Sequence, residues 1–207
     1  VTLKRWALAS LVVAVTAASA AAQYPTLDGR IDARLRAGIQ PQLDSAKAAG
    51  LPTTPLVDKA LEGVAKGADS ARIVTAVRRL RGDLSAAHGA LGSATPQELV
   101  AGAEAVRAGV NTATLARVRA ARSSPNAVIP LAVLTDLVTR GVPPDTAASA
   151  VLTLTQARAS DDDLEALRRN VERDIVAGVA PAVSAAVRAR IPETGGQVAH
   201  PPSTVPP

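Results

Sequence analysis

The 207-residue chain contains no cysteine, no methionine and no phenylalanine, and its only aromatic side chains of the Trp/Tyr/Phe type are Trp6 and Tyr24. Without cysteine there is no disulfide staple, no thiolate nucleophile, no sulfur ligand for a metal and no attachment point for a lipoprotein anchor. Without aromatic rings there is no platform on which unpaired bases stack, so no nucleic-acid partner is expected. The two histidines, His88 and His200, have no second histidine at ligand spacing, and HExxH is absent. Gly-x-Ser-x-Gly and Ser-x-x-Lys are absent too, and Gly63 and Gly67 flank Lys66 without the spacing of a phosphate loop. Ser45 and Lys47, two residues apart, face different sides of a helix. These absences point away from an enzyme, and no cofactor and no metal site are expected.

What is present begins with a leader pattern. Lys4 and Arg5 precede an apolar run from Trp6 to Val15, broken only by Ser10, and small residues continue to Ala22. Ala18-Ser19-Ala20 and Ala20-Ala21-Ala22 each fit the A-x-A cleavage rule. A positive start, a short apolar middle and a small-residue end make up a secretory signal, so residues 1–22 are expected to be cleaved and the product to be periplasmic or secreted. The apolar run is shorter than the about 20 residues that span a bilayer. The best internal run, Val128–Val138, is short and contains Asp136, so the chain is not expected to span a membrane. Loss of Val1–Ala22 leaves 185 residues and lowers the formal charge from +5 to +3. That excess is too mild to argue for a polyanionic nucleic acid.

The remaining chain has helical periodicity throughout. Apolar stripes run through Leu56, Ala60, Leu61 and Val64; Ile73, Val74, Val77 and Leu80; Leu131, Leu134 and Val138; Val151 and Leu154; and Leu164, Leu167, Val171 and Ile175. No stretch alternates as a strand does. A stop signal recurs at Gly50-Leu51, Gly67-Ala68, Gly109-Val110, Gly141-Val142 and Gly178-Val179. In each, a glycine able to end a helix in the left-handed region is followed by an apolar residue able to fold back on the last turn. Lys47, Lys66, Arg107 and Arg140 lie in the final turns, where the helix dipole favours cations. Asp69-Ser70, Asn111-Thr112 and Pro143-Pro144 are start signals. The acidic run Asp161-Asp162-Asp163 after Ser160 reads as a helix start, since the EF-hand pattern is missing.

The expected fold is therefore all-α, built of short antiparallel helix pairs. A 42-residue shift matches Gly50 with Gly92, Thr53 with Thr95, Glu62 with Glu104 and Gly67 with Gly109. Two helices per unit at this period is similar to HEAT and armadillo repeat arrays; an irregular helical bundle is the alternative. The expected organisation is a leader (1–22), one helical domain of about four helix-pair units (23–191) and a disordered proline-rich tail (192–207). Residues 23–40 read as a lead-in with a short helix around Ile31 and Leu35.

For function, the remaining candidates are arginines. On the helix near 112–122, Arg119 and Arg122 fall on the Leu115 side, with Arg117 nearby. The three form a candidate partner-binding strip, unless the two on the apolar side lay their stems along the core edge. The expected role is an exported, non-catalytic helical scaffold for a protein partner outside the cytoplasm. The alternative is a basic module that binds anionic envelope polymers or lipid head groups.

Overall fold

The computed structural model describes residues 27, 29–122 and 126–190. The expected leader and the proline-rich tail lie outside these residues. Among the described residues the chain is all-helical, with no strand. The helices are α1 (Ala33–Ala48), α2 (Thr54–Ala65), α3 (Ser70–Leu91), α4 (Pro96–Arg107), α5 (Thr112–Ala121), α6 (Val128–Thr139), α7 (Pro144–Gln156), α8 (Asp161–Val176) and α9 (Pro181–Arg188).

The caps explain most of the boundaries. Asp32, Asp69, Thr95, Asn111 and Ser160 each accept a hydrogen bond from the backbone N–H three residues on, at the starts of α1, α3, α4, α5 and α8. Thr95 with Glu98, and Ser160 with Asp163, close reciprocal capping boxes. All five expected glycine stops have positive φ. Gly141 shows the mechanism: its φ is 89°, its N–H donates to the Val138 carbonyl at 3.0 Å, and the Val142 N–H donates to Leu137 at 3.0 Å. Val142 is thereby folded back and buried. The same turn ends α7, but there Arg158 occupies the left-handed position at φ 60°, where a Cβ is unfavourable.

Two boundaries differ from expectation. The lead-in around Ile31 and Leu35 is a full helix, α1, which runs through Pro41. Leu35, Ile39, Leu43 and Ala46 form a buried stripe that holds it, while Pro41 and Ala37 face outward, where water can satisfy the carbonyl that a proline leaves without a donor. At the other site α5 ends at Ala121. Arg122 has φ −140° and ψ 85°, so helical register does not set its direction.

The helices form two rows. In one, α1, α3, α5, α7 and α9 each pack on the next; in the other, α4 packs on α6 and α6 on α8. The helix α2 lies against α3. The α3–α4 contact is close because Gly102 is at its centre: a Cβ there would stand 2.9 Å from Leu91 Cδ1 and 3.0 Å from Ala87 Cβ. Between the rows lies a single core of Leu, Val, Ile and Ala. The most apolar helix, α6, is central and buries Pro130, Leu131, Val133, Leu134 and Leu137. Each leucine removed from water there contributes about 1.5–3 kcal/mol.

Candidate interaction surface

The three arginines singled out in the sequence do not come together. Arg117 is exposed. Arg119 reaches across to α4, donating to Glu98 Oε1 at 2.6 Å and to the Ser93 carbonyl at 3.1 Å. Arg122 turns toward the start of α8, donating to the Ala159 carbonyl at 3.1 Å and to Asp161 Oδ1 at 2.7 Å. The guanidinium groups of Arg119 and Arg122 thus bond within the chain.

Glu98, which sequence reading missed as a site residue, organises the middle of the molecule. It is only 1% exposed. Its Oε2 accepts from the Thr95 N–H at 2.9 Å and the Thr95 hydroxyl at 3.1 Å, and its Oε1 accepts from Arg119 and from the Ala127 N–H at 2.9 Å. Burial pushes this carboxyl upward, but the Thr95 and Ala127 N–H groups, the Thr95 hydroxyl and the Arg119 charge together hold it below the usual range. The capping box was the visible signal. The 42-residue shift sets Glu98 opposite Leu56, which is also buried, so the carboxylate replaces a core leucine. A second junction ties the last helix down: Asp174 accepts from Arg188 Nε at 2.9 Å and from the Ser184 hydroxyl at 2.7 Å. Arg188 and Ser184 lower its pKa to about 2. Both junctions are saturated by their own partners, which suits positioning and leaves no poised acid or base.

The opposite anomaly appears at the α8–α9 pair. Val176, Val179, Val183 and Val187 are 84, 39, 56 and 48% exposed, and they are four of the five large exposed apolar side chains among the described residues. The glycine turns make the pairs directly comparable, because α5, α7 and α9 each begin three residues after Gly109, Gly141 and Gly178. At the residue after the glycine, Val110 and Val142 are buried, and Val179 is not. Four residues further on, Thr114 is buried and Thr146 half-buried, whereas Val183 is exposed. Four further still, Val118 and Ala150 are buried and Val187 is exposed. In the α2–α3 pair the last two positions are also exposed, but there they hold Arg72 and Ala76.

Cations border the valines. On α8, Arg169, Arg173 and Val176 follow one another at i, i+4 and i+7; Val183 and Val187 on α9 and Arg190 just past its end have the same spacing, and all six are exposed. Beside them a cleft of about 300 Å³ separates α7 from α9, lined by Asp145, Ser149 and Thr153 on one side and Ala186, Ala189 and Arg190 on the other. Among the described residues no helix is long and apolar enough to cross a membrane, and no three His, Asp or Glu side chains are grouped to hold a metal ion. The chain matches no protein-family model, no curated protein and no solved structure.

Proposed function

We propose that the protein is an exported, non-catalytic helical scaffold that binds another protein through the outer face of its α8–α9 pair. The observation that carries this reading is the valine face, of which Val179, Val183 and Val187 stand at positions that the two preceding pairs keep largely covered. An uncovered apolar stripe on the last described unit is a cost in water. Retaining it suits a surface that is covered in use. Export rests on the leader pattern of residues 1–22, and protein recovered from its native host should begin at Ala21 or Gln23.

The deciding experiment compares the purified full chain with a Val183→Asp/Val187→Asp variant as immobilised bait in the envelope fraction. The expected result is one protein captured by the first and lost by the second, with unchanged helicity in the variant. Once purified, that protein should bind the wild-type chain directly and saturably. Equal capture by both baits would remove the valine face from the function.

A further inference from the structure

We infer that the partner docks on this face as a helical hairpin with acidic flanks, taking the place of a next helix pair in the two-row array. The inference rests on the reading above and names the partner's chemistry. Three observations carry it.

The first is shape. Positions equivalent to Val179 and Val187 are buried in α5 and α7, and both of those helices have a later helix of the same row packed on them. Among the described residues α9 has α7 and α8 as neighbours but no successor. A successor alone does not bury these positions, since α3 has α5 packed on it and Arg72 and Ala76 are exposed, but at the Gly141 turn the following unit is close, with Pro181 Cγ 3.9 Å from where a Cβ would stand. A surface shaped by this repetition fits helices and presents no unpaired strand edge to an extended peptide.

The second is the chemistry of the face. Where the α2–α3 pair is exposed at the corresponding positions it carries Arg72 and Ala76, which tolerate water; the α8–α9 pair carries two valines. An apolar anchor is therefore required of the partner.

The third is charge. Two arginines at helix ends are met by acids of a later helix, Arg122 by Asp161 at 2.7 Å and Arg140 by Glu172 at 2.9 Å, both acids on α8, while Arg119 and Arg188 are met by Glu98 and Asp174 of an earlier one. The α8–α9 face offers Arg173 in the last turn of α8 and Arg190 after the end of α9, with Arg169 one turn behind Arg173. A hairpin whose helices carry acids beside an apolar stripe would complete the same pairing. A second copy of this chain would set these arginines against one another across a two-fold axis, which disfavours self-association through the face.

The chain contains a suitable probe, because α8–α9 is itself the hairpin that covers α6 and α7 and it carries Asp161, Asp162, Asp163, Glu165 and Glu172. A fluorescent synthetic peptide of residues 160–190 is titrated into the full-length protein. Saturable binding is expected. Val183→Asp/Val187→Asp should abolish it, and Arg173→Glu/Arg190→Glu should weaken it by about tenfold. No binding, or binding indifferent to the aspartate variant, overturns the inference. So does a chain dimer in sedimentation equilibrium that Val187→Asp dissolves, which assigns the face to a second copy. Valine-dependent binding to phosphatidylglycerol vesicles without peptide binding assigns it to a lipid surface and overturns the inference as well. If the peptide fails while envelope capture still depends on the valines, only the hairpin chemistry falls and the scaffold reading stands.

Discussion

The middle and the end of the array invert each other. At the meeting of α4, α5 and the start of α6 a carboxylate is buried; at α8–α9 four valines are exposed. Either feature alone would look like an error of patterning. The buried Glu98 is tolerable because the Thr95 N–H and hydroxyl, the Ala127 N–H and Arg119 all donate to it, so its desolvation is repaid by hydrogen bonds and one ion pair. The exposed valines have no such compensation within the described residues. The difference teaches that the middle satisfies its buried charge with groups of the chain itself, while the α8–α9 valines find no cover among the described residues.

The comparison breaks most visibly at Glu98. Glu98→Ala leaves Arg119 and the Ala127 N–H facing an empty, buried space and should cost about 3–5 kcal/mol in urea unfolding. Glu98→Gln keeps the shape and should cost less. A loss below about 1 kcal/mol for the alanine variant, the value of a surface pair, would show that the junction does not hold the middle together.

Acid sharpens the same contrast. Glu98 and Asp174 have depressed folded-state pKa values, from 4.5 downward and from 3.8 to about 2. Their stabilisation is full above the unfolded values and is lost as pH falls through the folded ones. Asp83 has the opposite sign, since burial raises its pKa despite Arg107 and Arg79, and protonation relieves it. Melting temperature should therefore decline between pH 5 and about 2, and Glu98→Gln should flatten that decline. An identical slope in the variant would remove Glu98 from the acid response.

Smaller effects belong to the turns that frame both regions. Gly141→Ala forces a Cβ into φ 89° and should destabilise by about 1 kcal/mol. Arg158→Gly, at φ 60°, should do the reverse by up to about 1 kcal/mol. Equal changes of the same sign at both sites would mean that the left-handed turn does not set the helix ends.

Smallest of all should be the stability effect of Val183→Asp/Val187→Asp, within about 0.5 kcal/mol, because both side chains already stand in water. A loss of several kcal/mol in thermal unfolding would show that the valines support the fold rather than await a partner.

Helix ends were written in the sequence because a cap is a local event. Asp69, Asn111 and Ser160 act on an N–H three residues away, and Gly109 or Gly141 acts on carbonyls within one turn, so a single pass along the chain finds them. That α1 runs through Pro41 depends on which side of the helix the core occupies, which is not a local property. The acceptors of Arg119 and Arg122, Glu98 and Asp161, lie 21 and 39 residues away and meet them only in the folded rows. Val183 and Val187 follow on α9 the i, i+4 spacing of a core stripe, as Leu167, Val171 and Ile175 do on α8. Only the tertiary structure separates the two stripes, since burial is a property of neighbours: the α8 stripe has α6 and α9 against it, and among the described residues no later helix packs on α9.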